Sequence, residues 1–487
     1  MFLVWPFLTA ETRPWSWMRS PNTRRIVYLS SMDVRDEVEQ HKPTLINLDA
    51  VLSQHPHHRF GEAGPSPASF CYLVSMALTG PEPAREVGRN LRDLPRCTTT
   101  SALGAGFVAT LLATTGPALL VYQAAKNAGY PDAIVDSWFF ANYVGAGLLS
   151  LLLAILYREP ICGASSIAGS AFLAAALADF SLSEAVGAFL VSGLLITLIG
   201  VSGLFDWIME RIPNEVIMGA LAGILLQFGI EVFASLPGQP LLVGAMVVAY
   251  IVGSRFIPRL PSALLALLAG LIIAGLGGQF DPGSVRFSLS QPVLVGPSFS
   301  LGAFLSLALP LTLLAVSTQN APGVGILWAN GYRPPVNAIT IFSGVGSILT
   351  APLVNHGLNI AAPMTAVCAD PRVSPDPHDR YAATVAQGVY FLAFGLISAT
   401  AISLIQALPD ALIISVAGLA LLPVILQAFR LSVGQSKHTV AAGFALLIGA
   451  SNLSILGINS AFWAIVAGVL AAFILKQESE EESDEDP

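Results

Sequence analysis

From Thr98 onward, apolar stretches of about 20 residues recur along the chain, the length a helix needs to cross the hydrocarbon core of a bilayer. Fourteen are read, at 100–125, 137–157, 161–178, 183–209, 214–235, 239–257, 260–277, 301–329, 336–353, 357–369, 380–408, 410–430, 438–456 and 459–475. The third and tenth are short for a complete span. The pattern predicts an all-α polytopic membrane protein.

Basic residues test the count, because cytoplasmic loops hold the Lys and Arg. With the N-terminal side cytoplasmic, Arg85, Arg89, Arg92, Arg96, Arg158, Arg211, Arg255, Arg259, Arg333, Arg372, Arg380, Arg430, Lys437 and Lys476 fall inside, and only Lys126 and Arg286 outside. The alternation supports an even number of spans with both termini cytoplasmic.

The two halves resemble each other at a spacing of roughly 200 residues. Thr110-Leu111-Leu112-Ala113-Thr114-Thr115 recurs as Thr312-Leu313-Leu314-Ala315-Val316-Ser317, and Gly129-Tyr130 as Gly331-Tyr332. Ser262-Ala263 recurs as Ser460-Ala461, and Ala222-Gly223 as Ala417-Gly418. Segments one to seven therefore pair with eight to fourteen. Seven is odd, so the second copy starts on the opposite side and the repeat is inverted, as in secondary transporters. Their substrates sit near the midplane where broken helices meet. Segments three and ten are the candidates, through Gly163–Ser170 and His356–Pro363. A half-helix start there suits an anionic group.

Residues 1–97 differ from the rest. They are polar and rich in Pro and Arg, with His41, His55, His57 and His58, and read as a poorly ordered extension of the membrane domain at 98–475. Met76 would be a sensible alternative start. Metal binding by these histidines is the weaker reading of a Pro-rich loop, and the four cysteines have no metal-ligand spacing.

Composition agrees with the span count. The chain is 54% hydrophobic and 11% charged, with mean hydropathy +0.69, where soluble proteins carry about 25% charged residues. The net charge of −8 includes seven acidic groups between Glu478 and Asp486, so 476–487 reads as a solvated disordered tail rather than a sign of basic partners. Nothing suggests nucleic acid.

No P-loop, HExxH or GxSxG is present, and no catalytic set or cofactor site is visible, which favours gradient-driven transport over an enzyme or a primary pump. Ser317-Thr318-Gln319-Asn320-Ala321-Pro322-Gly323 is the most informative polar cluster. It is either helix–helix hydrogen bonding around a proline kink or a carboxylate site made by Gln319 and Asn320. The paired first segment carries Thr114-Thr115-Gly116-Pro117 at the same place, which favours the second and adds Thr115. His356 is the ionisable group nearest the broken segments, either a proton carrier or a structural donor. Tyr122, Phe172, Trp328 and Tyr390 are candidates for aromatic contact.

Gln319-Asn320-Ala321-Pro322-Gly323, Tyr157-Arg158-Glu159-Pro160, Ala222-Gly223-Ile224-Leu225-Leu226, Ala417-Gly418-Leu419-Ala420-Leu421-Leu422 and Gly457-Ile458-Asn459-Ser460-Ala461-Phe462-Trp463 resemble the bacterial benzoate:proton symporter (BenE) family. The resemblance runs from about residue 98 to 475 and implies the fold of the nucleobase transporters. That fold has fourteen spans in two inverted repeats. Segments 1–4 and 8–11 would form a core domain and 5–7 and 12–14 a gate, with short strands in segments 3 and 10. Family members often carry Trp-Ser-Thr-Pro-Gly where this chain reads Ser165-Ser166-Ile167-Ala168-Gly169, a stretch that should line the site. Nucleobase relatives place Glu in segments 8 and 10, where this chain offers Gln319 or Asn320 and Asn359.

The expectation is a bacterial inner-membrane symporter that takes up benzoate or a related aromatic carboxylate with protons by alternating access. The alternatives are a transporter of another organic or inorganic anion or of a nucleobase on the same fold, and a passive anion channel. A homo-oligomer is left open.

Overall fold

The computed structural model describes residues 86–205, 213–257, 260–280, 283, 285–434, 437–451, 453, 455 and 460–484. What the sequence suggested for residues 1–85 and 485–487 lies outside the described residues.

The first half runs α1 (Val87–Cys97), α2 (Thr100–Thr114), α3 (Gly116–Asn127), α4 (Asp132–Tyr157), β1 (Gly163–Ser165), α5 (Ile167–Ala176), α6 (Leu182–Ser202), α7 (Asn214–Ser235), α8 (Pro240–Phe256) and α9 (Ser262–Leu276). The second runs α10 (Leu301–Ala329), α11 (Val336–Thr350), β2 (Leu358–Ile360), α12 (Ala362–Cys368), α13 (Tyr381–Leu396), α14 (Ser398–Gln406), α15 (Asp410–Ser432), α16 (Thr439–Ala450) and α17 (Ser460–Asp484). Each of the fourteen apolar segments coincides with a helix, a broken helix or a strand–helix pair. Among the described residues, seven helices are long and apolar enough to cross a membrane, and eight if the pair bent by 63° at Ile397 counts as one.

The breaks have local causes. Pro117 removes a backbone donor just after Thr115, so segment one divides into α2 and α3. The α10 helix, the counterpart of that segment, contains π-helical turns at Phe304–Ala308 and Ala315–Asn320. Segments three and ten each begin as a strand and continue as a half-helix.

The strands β1 and β2 pair antiparallel, with Gly163 opposite Ile360 and Ser165 opposite Leu358. Equivalent strands of two upside-down copies must meet this way round. A two-stranded ribbon at membrane depth leaves backbone groups on its outer edges that water cannot satisfy. Serines on the preceding helices supply them. Ser150 on α4 accepts from Gly163 N–H (2.9 Å) and donates to its carbonyl (3.2 Å). Ser347 on α11 accepts from Leu358 N–H (2.8 Å).

Around the ribbon, α4 packs on α13 and α6 on α11, while α7 packs on α15 and α16 and α8 on α9. Glycine permits the close crossings: a Cβ on Gly147 would lie 2.8 Å from the Gly388 carbonyl oxygen, and one on Gly193 3.0 Å from that of Gly344. The extended stretch before α10 ties the ends of these helices together. In it, Gln291 N–H donates to Asp136 (2.8 Å) and Val295 N–H to the Pro352 carbonyl (2.8 Å).

Residues 87–97, which the sequence reading placed in the N-terminal extension, form the helix α1. Val87, Asn90, Leu94 and Cys97 recur at helical spacing on its inner face. Asn90 donates to the Ile155 carbonyl (2.8 Å) and Asp93 pairs with Arg158 (2.8 Å). That guanidinium holds the Asp93 carboxyl below the usual carboxylate range. At the other end, α17 continues past residue 475 into the acidic stretch as far as Asp484.

Candidate functional site

A cavity of about 270 Å³ lies where the two strand–helix junctions face the other helices. Its wall takes Thr115 from the α2–α3 break, Asn142 and Tyr143 from α4, Ser165 and Ser170 at β1 and α5, and Met364 from α12. Phe391 of α13, Tyr250 of α8, Pro261 and Ser262 before and at the start of α9, and Leu421 and Val424 of α15 complete it. Among the described residues, the wall holds no Asp, Glu, His, Lys or Arg.

Most of the wall is aliphatic or aromatic. The Tyr143 and Phe391 rings meet edge to face with centroids 5.5 Å apart, a geometry favoured by the ring quadrupoles. The Tyr143 hydroxyl donates to the Ala113 carbonyl (3.0 Å), which fixes the ring.

The polar end of the cavity is the start of α5. Ser166 caps this helix by accepting from Gly169 N–H (2.9 Å). The N–H groups of Ile167 and Ala168 stand in the first turn, where a helix offers no internal acceptor. Ser165, Ile167 and Ser170, at and beside this helix start, line the cavity. A helix start of this kind attracts anionic or carbonyl oxygens.

The structure separates the residues proposed from sequence. Thr115 and Ser165 line the cavity. Ser166 lies between lining residues, and its side chain is occupied as the α5 cap. Asn359 is fully buried on β2 opposite Ala164, which lines the cavity, and neither of its amide atoms has a partner. Gln319, Asn320 and Tyr122 do not reach the wall. Gln319 and Asn320 belong to the π-helical turn Ala315–Asn320. Asn320 Oδ1 instead accepts from Ile360 N–H (3.0 Å) and steadies β2.

His356 stands behind Ser165 and Ser170. Its Nδ1 accepts from the Trp138 indole N–H (3.1 Å), a group that only donates. The ring proton is thereby assigned to Nε2, which points at the Ser166 carbonyl (3.0 Å) and lies 3.1 Å from Ser170 Oγ. Both nitrogens are engaged, and the ring joins α4, α5 and the loop before β2.

Sequence reasoning missed Asn142, Tyr143 and Phe391, and reached Ser170 only as the end of the Gly163–Ser170 stretch. A lone Asn inside the apolar α4 was the one available signal. The others are ordinary core residues until the fold brings them together.

Residues 96–474 match the family profile described as benzoate membrane transport protein, BenE. The chain belongs to the BenE family. The inner membrane protein YdcO of Escherichia coli is 36% identical over 371 residues, covering 76% of this chain and 95% of that protein. The benzoate membrane transport protein of Acinetobacter baylyi is 31% identical over 389 residues, covering 79% and 98%. The fold resembles the transmembrane domain of a cyanobacterial bicarbonate transporter, BicA, at TM-score 0.50 and 16% identity, covering 81% of this chain and 98% of that one. It also resembles SLC26A9, at TM-score 0.53 and 12% identity, covering 93% and 72%. This BenE family member is a multi-pass membrane transport protein, and at those identities the solved structures speak for its fold alone.

Proposed function

We propose that the protein takes up an aromatic carboxylate, with benzoate the simplest case, together with a proton and by alternating access across the bacterial inner membrane. The observation that carries this reading is the cavity itself. Its apolar and aromatic wall suits a ring, and its one polar end is a helix start suited to a carboxyl group. The name of the Acinetobacter baylyi relative supports the same substrate class.

In this reading α2–α6 and α10–α14 form the core, and α7–α9 and α15–α17 the gate. The cavity lies between the two sets, as expected for a site exposed alternately to each side. With both termini cytoplasmic, the α8–α9 connection is also cytoplasmic. Tyr250, Pro261 and Ser262 then mark the inner mouth, and the state is inward-facing. Thr115, Ser165 and the Ile167 and Ala168 N–H groups bind the substrate, with Asn359 and Ser166 supporting the wall. His356 positions the α5 start rather than carrying the proton, because protonation at Nδ1 would oppose the Trp138 donor.

The test is uptake of labelled benzoate into proteoliposomes holding the full-length protein. Accumulation driven by an inward proton gradient and abolished by a protonophore is expected. Protonophore-insensitive equilibration would indicate a channel. Transport of bicarbonate or another inorganic anion, with no aromatic acid carried, would overturn the substrate class.

A further inference from the structure

We propose that the preferred substrate carries a ring hydroxyl as well as a carboxyl group, and that Tyr250 selects it by donating a hydrogen bond to the ring hydroxyl oxygen. The substrate class is then a hydroxylated aromatic acid, of which benzoate is the parent. This deepens the reading above and rests on the cavity being an aromatic-acid site.

The helices α8, α9 and α15 pack on one another and supply the wall that the strand–helix junctions face. Among the described residues, Tyr250 of α8 and Ser262 of α9 are the only polar side chains on that wall, which is otherwise built of residues such as Leu421 and Val424. Val243, Met246, Tyr250 and Gly253 recur at helical spacing on the packed face of α8, while Val248, Ile251 and Val252 are exposed. Tyr250 is therefore directed inward, and it is half-buried. Neither its hydroxyl nor that of Ser262 has a hydrogen-bond partner among the described residues, and neither oxygen is fully buried.

The hydroxyls on the other walls differ. Thr115 Oγ1 donates to the Leu111 carbonyl (2.9 Å) and Ser170 Oγ to that of Ser166 (2.9 Å). Ser165 Oγ donates to the Gly357 carbonyl (3.0 Å) and Tyr143 Oη to that of Ala113 (3.0 Å). Each spends its proton on the backbone. Tyr250 keeps its proton for whatever fills the cavity.

A bound ring displaces water from that hydroxyl. An unsubstituted ring offers only C–H groups in return and leaves the donor unpaired, which is costly. A ring hydroxyl offers an acceptor oxygen to Tyr250, and Ser262 is an acceptor on the same wall for its proton. Sites that hydrogen-bond a substrate hydroxyl discriminate against the analogue lacking it for this reason. With the carboxyl group at the α5 start, the hydroxyl must stand meta or para to it, because an ortho hydroxyl lies beside the carboxyl group and away from α8.

The experiment measures binding of benzoate, 3-hydroxybenzoate, 4-hydroxybenzoate and 4-methylbenzoate to the full-length protein in detergent at a single pH, for wild type and Tyr250→Phe. At least one hydroxylated acid should bind wild type about fivefold tighter than benzoate and 4-methylbenzoate, the gain from one hydrogen bond. Tyr250→Phe keeps the ring and removes the donor, so the ratio of the affinities should fall to within about twofold of unity. A merely structural Tyr250 would leave that ratio intact when replaced. A ratio that survives in the variant, no preference in wild type, or 4-methylbenzoate binding as tightly as the hydroxylated acids overturns the inference and leaves the proposed function standing. If Tyr250→Phe does not fold, the wild-type ranking of the four acids decides alone. Wild type that binds none of them overturns the proposed function and this inference together.

Discussion

Ser150 and Ser347 hold the two central strands in the same way, one in each half of the chain. Each hydroxyl accepts from the N–H of the first residue of the strand that follows it, Gly163 (2.9 Å) and Leu358 (2.8 Å). Their equivalence marks the internal repeat at the level of single atoms. Substituting either with Ala leaves a buried N–H unpaired, at a cost of about 1–3 kcal/mol. Thermal unfolding in detergent should show similar losses for Ser150→Ala and Ser347→Ala. A loss in one and none in the other would contradict the equivalence.

Asn320 carries a structural load that a substrate contact would not. Its Oδ1 accepts from Ile360 N–H in the buried β2 strand. Asn320→Ala should therefore reduce stability by about 1–3 kcal/mol and lower the amount of folded protein recovered from membranes, read by fluorescence-detected size exclusion. Normal recovery with lost uptake would return Asn320 to the substrate site.

Trp138 and His356 form a fixed pair, so His356 should orient the α5 start and not set the pH response. Trp138→Phe removes the indole donor while keeping an aromatic ring. Maximal uptake should fall in this variant while the pH at half-maximal uptake stays at the wild-type value. A displaced midpoint would show that His356 takes part in proton transfer.

Lys126 at the end of α3 and Asp410 at the start of α15 form an ion pair of 2.8 Å across the proposed core and gate, on the side away from the inferred inner mouth. Both side chains are more than half exposed, with relative areas of 56% and 75%, so the pair is worth about 1 kcal/mol or less and weakens with salt. Lys126→Asp or Asp410→Lys should change the uptake rate by no more than about fivefold, and the combined exchange should restore it. A double variant no better than either single one would exclude a gating role for the pair.

Much of the fold was legible because bilayer thickness and the arrangement of basic residues leave few solutions for a chain this apolar. The broken third and tenth segments announced themselves by length and by small polar residues such as Ser165 and Asn359. The site was less legible. Gln319 and Asn320 read as substrate ligands because they are polar in a span, but Asn320 Oδ1 accepts from the β2 backbone at Ile360, a contact that exists only once α10 packs on β2. Tyr143 and Phe391 come from helices almost 250 residues apart in sequence, and their edge-to-face contact exists only after α4 packs on α13 through Gly147 and Gly388. The α1 helix was overlooked because its apolar face is narrow and includes Asn90, whose amide is buried in a bond to the α4 backbone.

The central claim is that an aromatic acid binds between the α5 start and the Tyr143–Phe391 pair. The most direct measurement is a single-particle structure of the full-length protein saturated with benzoate at pH 5.5. The account predicts ring density against Tyr143 and Phe391, with the carboxyl group at the Ile167 and Ala168 N–H groups. Density for benzoate elsewhere in the fold, with this cavity empty, would contradict it.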